Sequence, residues 1–161
     1  MAEPAAVTVR PGRSDDLPAV VAIERASFGD PWPEESLAVE LRADALRHPL
    51  VATAAGRVVG FLMAWRAADE WHIINVAVDA AWRRRGVGAR LLAASLAAAR
   101  RHGCRLATLE VRAGNAGARA FYRRFGFRAV GVRPGYYRDT GEDAVLMTRP
   151  LTGDPAAAGP A

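Results

Sequence analysis

Ile74-Asn75-Val76-Ala77-Val78-Asp79-Ala80-Ala81-Trp82-Arg83-Arg84-Arg85-Gly86-Val87-Gly88 is the stretch on which the reading of this chain turns. Its opening is almost wholly apolar, and with Trp71 to Ile73 before it predicts a buried central strand over Trp71 to Val78. A loop with three arginines and two glycines follows, and a helix is expected from Gly88 to His102. There Leu91, Leu92, Ser95, Leu96 and Ala99 fall on one stripe, and Gly103 supplies a stop. Glycine lets a backbone approach an anion closely, and the first helical turn leaves its amides without intrahelical partners. The helix dipole and the arginines add favourable charge. A dinucleotide fingerprint asks for a third glycine at position 91, where the chain has Leu91, so a Rossmann site is excluded. Alone, the segment is also readable as a tight strand-to-helix turn with a solvated arginine face.

The flanking sequence alternates strand and helix signals. Val7 to Arg10 reads as a strand, and Ser14 as the N-cap of a helix through about Ala26. Gly29 to Pro33 breaks it, and a second helix is expected from Glu34 to Ala45. Leu50 to Ala55 and Val58 to Arg66 read as strands joined across Gly56. Beyond the long helix come a strand at Leu106 to Val111, a helix at Ala116 to Phe125, and strands at Arg128 to Val132 and Ala144 to Thr148. The order β-α-α-β-β-β-α-β-α-β-β implies an α/β fold, a mixed sheet with helices on its faces. One domain over residues 6–150 is expected, with residues 1–5 and 151–161 as low-complexity, disordered ends.

Composition removes several function classes. Apolar residues make up 51% and charged residues 24% of 161, as in globular proteins. The longest apolar run, Leu91 to Ala99, is closed by Arg90, Arg100 and Arg101, well short of the roughly 18 residues a membrane span needs. The opening residues contain no apolar h-region, and Cys104 is the lone cysteine, so a cytoplasmic location is expected. All 22 basic residues are arginine, against 17 acidic ones, giving +5. With Ala frequent and Lys and Gln absent, this skew reads as a whole-sequence bias rather than a nucleic-acid surface. No direct nucleic-acid partner is expected. The absence of Lys also excludes a Walker loop and Schiff-base chemistry. His48 and His102 stand apart, and no metal is expected.

Arg83-x-x-Gly86-x-Gly88, after the strand Asn75 to Val78, resembles the acetyl-CoA-binding motif of the GNAT N-acetyltransferase superfamily, whose element order also matches. The resemblance implies acetyl-CoA as co-substrate. The amides of Arg84, Arg85, Gly86, Val87, Gly88 and Ala89 would hold its pyrophosphate beside Arg83. The strand edge at Val76, Ala77 and Val78 would lie along the pantetheine.

Glu110 shares strand parity with Leu106 and Thr108 and lies near the strand's C-terminal end, where such sheets place ligands. It reads equally as an end-of-strand ion pair with Arg112. Asn115 reads as the next helix's N-cap, and Tyr122, seven residues on, faces the same way two turns later. Tyr122 could also be a core aromatic among Phe121, Phe125 and Phe127. His72 reads as a structural histidine or as part of a proton relay.

Together, Leu109-Glu110-Val111-Arg112, Asn115, Ala120-Phe121-Tyr122 and Phe125-Gly126-Phe127 resemble the RimI-type ribosomal-protein-alanine N-acetyltransferases. The resemblance implies Glu110 as general base, Tyr122 as proton donor to the leaving thiolate, and Asn115 as a cofactor contact. Phe28 with Asp30-Pro31-Trp32-Pro33 resembles the family's substrate loop. Gly131-x-Arg133-x-x-Tyr136-Tyr137, with Glu142-Asp143-Ala144-x-x-Met147, resembles the last two strands and their substrate-lining loop. Trp32, Tyr136 and Tyr137 would then touch substrate. The chain departs from the pattern at Gly114, Phe121 and Trp71-His72.

The implied partner is a protein N-terminus, the terminal alanine of a small-subunit ribosomal protein. A broader N-terminal acetyltransferase, a small-molecule amine acetyltransferase and a CoA-binding ribosome-associated module are the alternatives. A single carboxylate base suits an α-amine. Deprotonating a lysine amine (~10.4) rather than an α-amine (~7.8) costs roughly 3.5 kcal/mol more.

Overall fold

The computed structural model describes residues 6–151, so the expectation of disordered ends falls, Leu151 apart, outside the described residues. Seven strands and four α-helices occur in the expected order: β1 (Thr8–Pro11), α1 (Leu17–Ser27), α2 (Glu34–Glu40), β2 (Leu50–Ala54), β3 (Arg57–Ala67), β4 (Glu70–Val78), α3 (Val87–Arg101), β5 (Leu106–Arg112), α4 (Ala116–Arg124), β6 (Arg128–Tyr137) and β7 (Glu142–Pro150). The strands form one mixed sheet in the order β1-β2-β3-β4-β5-β7-β6.

Three boundaries differ from expectation, each for a local reason. Ser14 does not cap α1 but opens a short 3-10 turn, Ser14–Asp16. Asp16 organises that turn, accepting the Arg13 amide at 2.8 Å and both Arg10 guanidinium nitrogens at 2.8 Å. Helix α2 stops at Glu40 rather than Ala45 because Asp44 captures the Leu46 and Arg47 amides at 2.9 and 2.6 Å, an alternative to helix. Strand β6 runs past Val132 to Tyr137, through Pro134. An edge strand tolerates that proline, and the pairing with β7 shifts register on either side of Gly131–Arg133.

Packing divides the fold into two compact units. Among the described residues, the first holds residues 6–66 together with Ile74–Ala97. Its core sets Val20, Val21 and Ile23 of α1 and Leu37 of α2 against Val51, Phe61, Met63 and Ala77. Gly60 on β3 is there for close approach: a Cβ would meet Val87 Cγ1 at 3.1 Å and the Ala77 carbonyl oxygen at 3.2 Å. That contact seats the start of α3 on the end of β4.

Among the described residues, the second unit holds Ala67–Ile73 and residues 98–151. Here β4 and β5 pair in parallel, from Glu70↔Leu106 to Ile73↔Leu109, and β5 pairs antiparallel with β7. A parallel pair needs a crossover, which α3 supplies. Strand β5 buries Ala107, Leu109 and Val111 on one face, leaving Thr108, Glu110 and Arg112 half-buried on the other. Strand β6 is the sheet's terminal strand and is exposed along nearly its whole length, Val130 at 59% and Val132 at 57%.

Candidate active site

In the first unit, the turn between β4 and α3 is built by its own side chains. Asp79 caps a short 3-10 turn by accepting the Ala81 amide at 2.9 Å. Arg83 folds back, donating from Nε to the Val78 carbonyl at 3.1 Å and from its terminal nitrogen to Ser27 Oγ at 3.3 Å. Arg84 (φ 61°) and Gly86 (φ 79°) then take left-handed conformations that turn the chain into the helix. The Arg85 guanidinium lies over the Trp82 ring, 5.0 Å from its centre.

The ladder of α3 opens with the Arg90 amide donating to the Gly86 carbonyl at 3.0 Å. The amides of the first turn of α3, ahead of Arg90, have no i−4 partner inside the helix. Donors so arranged at a helix start suit an anion. A Cβ on Gly86 would meet nothing within 4 Å, so the space over the turn is open. The turn therefore fits a pyrophosphate: open amides, open space and exposed arginines. Of the three arginines, Arg83 is spent on the loop itself. Val76 and Val78 are half-buried, and Ala77 is buried.

The same unit ties down the loop before α2. Glu24 is buried, and its carboxylate accepts the Trp32 amide at 2.9 Å and the Asn75 side-chain amide at 2.7 Å. Trp32 packs half-buried against the core. Nothing in the local sequence pattern around Glu24 marks this bridge.

In the second unit, Glu110 stands between His72 and Arg133. Its Oε2 is 2.7 Å from His72 Nε2, and its Oε1 is 3.4 Å from Arg133 Nε. The alternative ion pair with Arg112 does not form. Arg112 is committed to Asp139 at 3.0 Å and Glu142 at 3.4 Å, and lies 4.1 Å from the centre of the Tyr137 ring.

Tyr122 sits in the last turn of α4, where its carbonyl accepts the Phe125 and Phe127 amides at 3.0 and 3.1 Å. Its ring meets Phe121 and Phe127 edge-on, at 5.3 and 5.9 Å. Burial pushes its phenol up to about 12, with Tyr137 adding to the effect. Burial likewise pushes Tyr137 up to about 12 despite the opposing charge of Arg112, and Glu110 also acts on it. Tyr136 is 49% exposed and stacks edge-on against Tyr137 at 5.0 Å.

Asn115 caps α4 through its side-chain oxygen, which accepts the Ala118 amide at 3.0 Å. Gly114 before it has a physical reason: its amide donates to Glu142 Oε2 at 2.7 Å, and a Cβ there would sit 2.7 Å from that same oxygen. Sequence reasoning had no means of finding Arg133 or His72 as partners of Glu110. Both contacts depend on pairing between strands distant in the chain.

Among the described residues, no three His, Cys, Asp or Glu side chains gather where they could hold a metal ion. Residues 17–127 match the model of the acetyltransferase (GNAT) family. The chain is 39% identical over 131 residues to the N-alpha-acetyltransferase RimI of Mycobacterium tuberculosis, covering 79% of this chain and 80% of that one. It is 33% identical over 147 residues to the ribosomal protein bS18-alanine N-acetyltransferase of Escherichia coli K12, covering 90% and 98%. The crystal structure of the Escherichia coli ribosomal-protein-S18-alanine N-acetyltransferase superposes with a TM-score of 0.85 at 31% identity, covering 92% of this chain and 96% of that one. With the fold, the cradle and these relatives in agreement, the chain belongs to the GNAT acetyltransferase family, in its RimI-type branch of acetyl-CoA-dependent N-acetyltransferases.

Proposed function

We propose that the protein moves an acetyl group from acetyl-CoA to the α-amine of a protein N-terminus, and that its substrate is the terminal alanine of a small-subunit ribosomal protein. The observation that carries the reading is the setting of Glu110. Its side chain is 11% exposed, close enough to solvent to exchange a proton and held by partners on two other strands. The Escherichia coli relative's name supports the choice of substrate. A ribosomal substrate puts the reaction in the cytoplasm. No helix among the described residues is long and apolar enough to cross a membrane.

In this reading the amides from Arg84 to Ala89, with Arg84 and Arg85, hold the pyrophosphate, and the edge from Val76 to Val78 lies along the pantetheine. Asn115 adds a contact to the cofactor. The exposed arginines of this turn are assigned to phosphate groups rather than RNA. Bound acetyl-CoA supplies the activated acyl carbon and a thiol leaving group.

Glu110 takes the proton that keeps an α-amine unreactive at neutral pH. Tyr122 would serve as the proton donor to the leaving thiolate. With its phenol near 12, complete transfer to a free thiolate of ordinary basicity (~8.5) is uphill by roughly 5 kcal/mol. Tyr122 therefore donates as the C–S bond opens and regains its proton from solvent, and one proton is released overall per acetyl transferred. Trp32, Tyr136 and Tyr137 are each assigned to the peptide substrate on the strength of the resemblance.

A second reading keeps the chemistry and widens the target. The Mycobacterium tuberculosis relative is named an N-alpha-acetyltransferase with no acceptor residue specified. Thiol release with alanine-, serine- and methionine-starting peptides, against an α-blocked control and a small-amine panel, separates the two. An alanine preference supports the first reading, and equal rates the second. Turnover of small amines alone rejects both. Glu110→Gln and Tyr122→Phe are expected to lower kcat by about 10²-fold or more, the usual scale of general acid–base catalysis. Because the chain has no lysine, self-acetylation of ε-amines adds no background.

A further inference from the structure

Pro31-Trp32-Pro33 holds a single backbone donor, the Trp32 amide, because proline has none. That amide donates at 2.9 Å to the carboxylate of Glu24, eight residues back on α1. The other carboxylate oxygen accepts the Asn75 side-chain amide at 2.7 Å. Glu24 thereby ties the loop ahead of α2 to β4, next to the Val76–Val78 edge. All three residues belong to the first unit.

Such a tie is costly to maintain. Glu24 is 1% exposed, and both of these donors are neutral amides. Burying a carboxylate on neutral partners is unfavourable, and an apolar side chain of similar volume would avoid that cost. The helices on either side are fixed by other bonds. At the end of α1, the Phe28 amide donates to the Glu24 backbone carbonyl at 3.1 Å, and Arg83 donates to Ser27 Oγ at 3.3 Å. At the start of α2, the Ser36 and Leu37 amides donate to the Pro33 carbonyl at 3.0 and 3.2 Å. Between them Phe28 is 39% exposed, and a Cβ on Gly29 would meet nothing within 4 Å. What the buried carboxylate adds is the placement of the loop.

We infer that Glu24 is a positioning residue for the acceptor peptide: it fixes the Trp32 backbone against β4, and so sets how well the peptide binds without touching it. This rests on the assignment of Trp32 to the peptide. The role belongs to the acceptor oxygens rather than to the charge. Glu24→Gln therefore keeps both bonds once the Asn75 amide turns over, since the new carboxamide then accepts from Trp32 and donates to Asn75. Glu24→Met keeps the length of the side chain and loses both bonds.

Steady-state kinetics with an alanine-starting peptide, alongside calorimetric titration of CoA, test the role. Glu24→Met is expected to raise peptide KM by about 10-fold or more, with kcat and CoA affinity changing less than about 3-fold. Glu24→Gln is expected to bring peptide KM back to within about 3-fold of native. Asn75→Ala, which frees the bridge at its β4 end, is expected to raise peptide KM by about 3-fold or more. A native peptide KM in Glu24→Met or Asn75→Ala overturns the role. An equal loss in Glu24→Gln and Glu24→Met also overturns it, since the effect then belongs to the charge. Loss of CoA affinity in parallel with peptide affinity does the same, and makes Glu24 a residue of the fold alone. Each of these results leaves the proposed function standing. Turnover of small amines alone by the native protein overturns that function, and the role of Glu24 with it.

Discussion

Gly114 and Glu142 are fitted to each other, since the carboxylate that accepts the glycine's amide occupies the place of a Cβ. A side chain at 114 displaces a flexible carboxylate rather than backbone. The cost is therefore the lost hydrogen bond to a charged group, about 1.5–3 kcal/mol, and not a steric collapse. Gly114→Ser is expected to lower unfolding stability by that amount, and to cost little once Glu142→Ala has removed the acceptor. Urea titrations of the two single variants and the double variant check it. The phenols supply a pH test. Tyr122 and Tyr137 hold their protons to about 12 in the fold. An unfolded tyrosine releases its proton near 10, so the stabilisation is complete below that pH and drains away as pH rises to about 12. Thermal unfolding followed from pH 9 to 12 is expected to show a fall that is shallower in Tyr122→Phe and Tyr137→Phe.

The turn from β4 into α3 reaches its shape through a left-handed Gly86 that no neighbour crowds. Gly86→Ala therefore acts through the backbone, at a cost of roughly 1–2 kcal/mol. If the strain falls on the cradle, CoA affinity drops by about 5- to 30-fold, as calorimetric titration would show. This turn was legible in the sequence because strand, loop and helix start are contiguous, and every signal lies within fifteen residues. The end of α2 was less so. Helix α2 ends at Glu40 rather than Ala45, ahead of the turn that Asp44 organises through the Leu46 and Arg47 amides. Strand β6 continues past Val132 through Pro134, which only its place at the sheet edge permits. The Glu110–His72 contact was out of reach altogether. It joins residues 38 apart through a parallel register that no local pattern encodes.

Across the molecule, several of the arginines are held in ion pairs. Arg10 forks onto Asp16, Arg47 meets Asp44, Arg105 meets Asp69 and Arg112 meets Asp139. Exposed pairs of this kind contribute about 0–1 kcal/mol each, so they organise loops more than they stabilise the fold. The forked guanidinium makes some of them possible, as at Asp16, where lysine would reach only one oxygen at a time. Arginine and proline also mark β6, the terminal strand, with its interrupted ladder. A continuous row of amides and carbonyls there would be a template for a neighbouring chain, and the slips, Pro134 and Arg128 deny it one. Arg128→Val combined with Pro134→Thr is expected to give light scattering that grows with protein concentration, at little cost to the melting temperature. The bent, charged edge thus acts on a population of molecules, keeping separate copies of the enzyme from growing into a shared fibril.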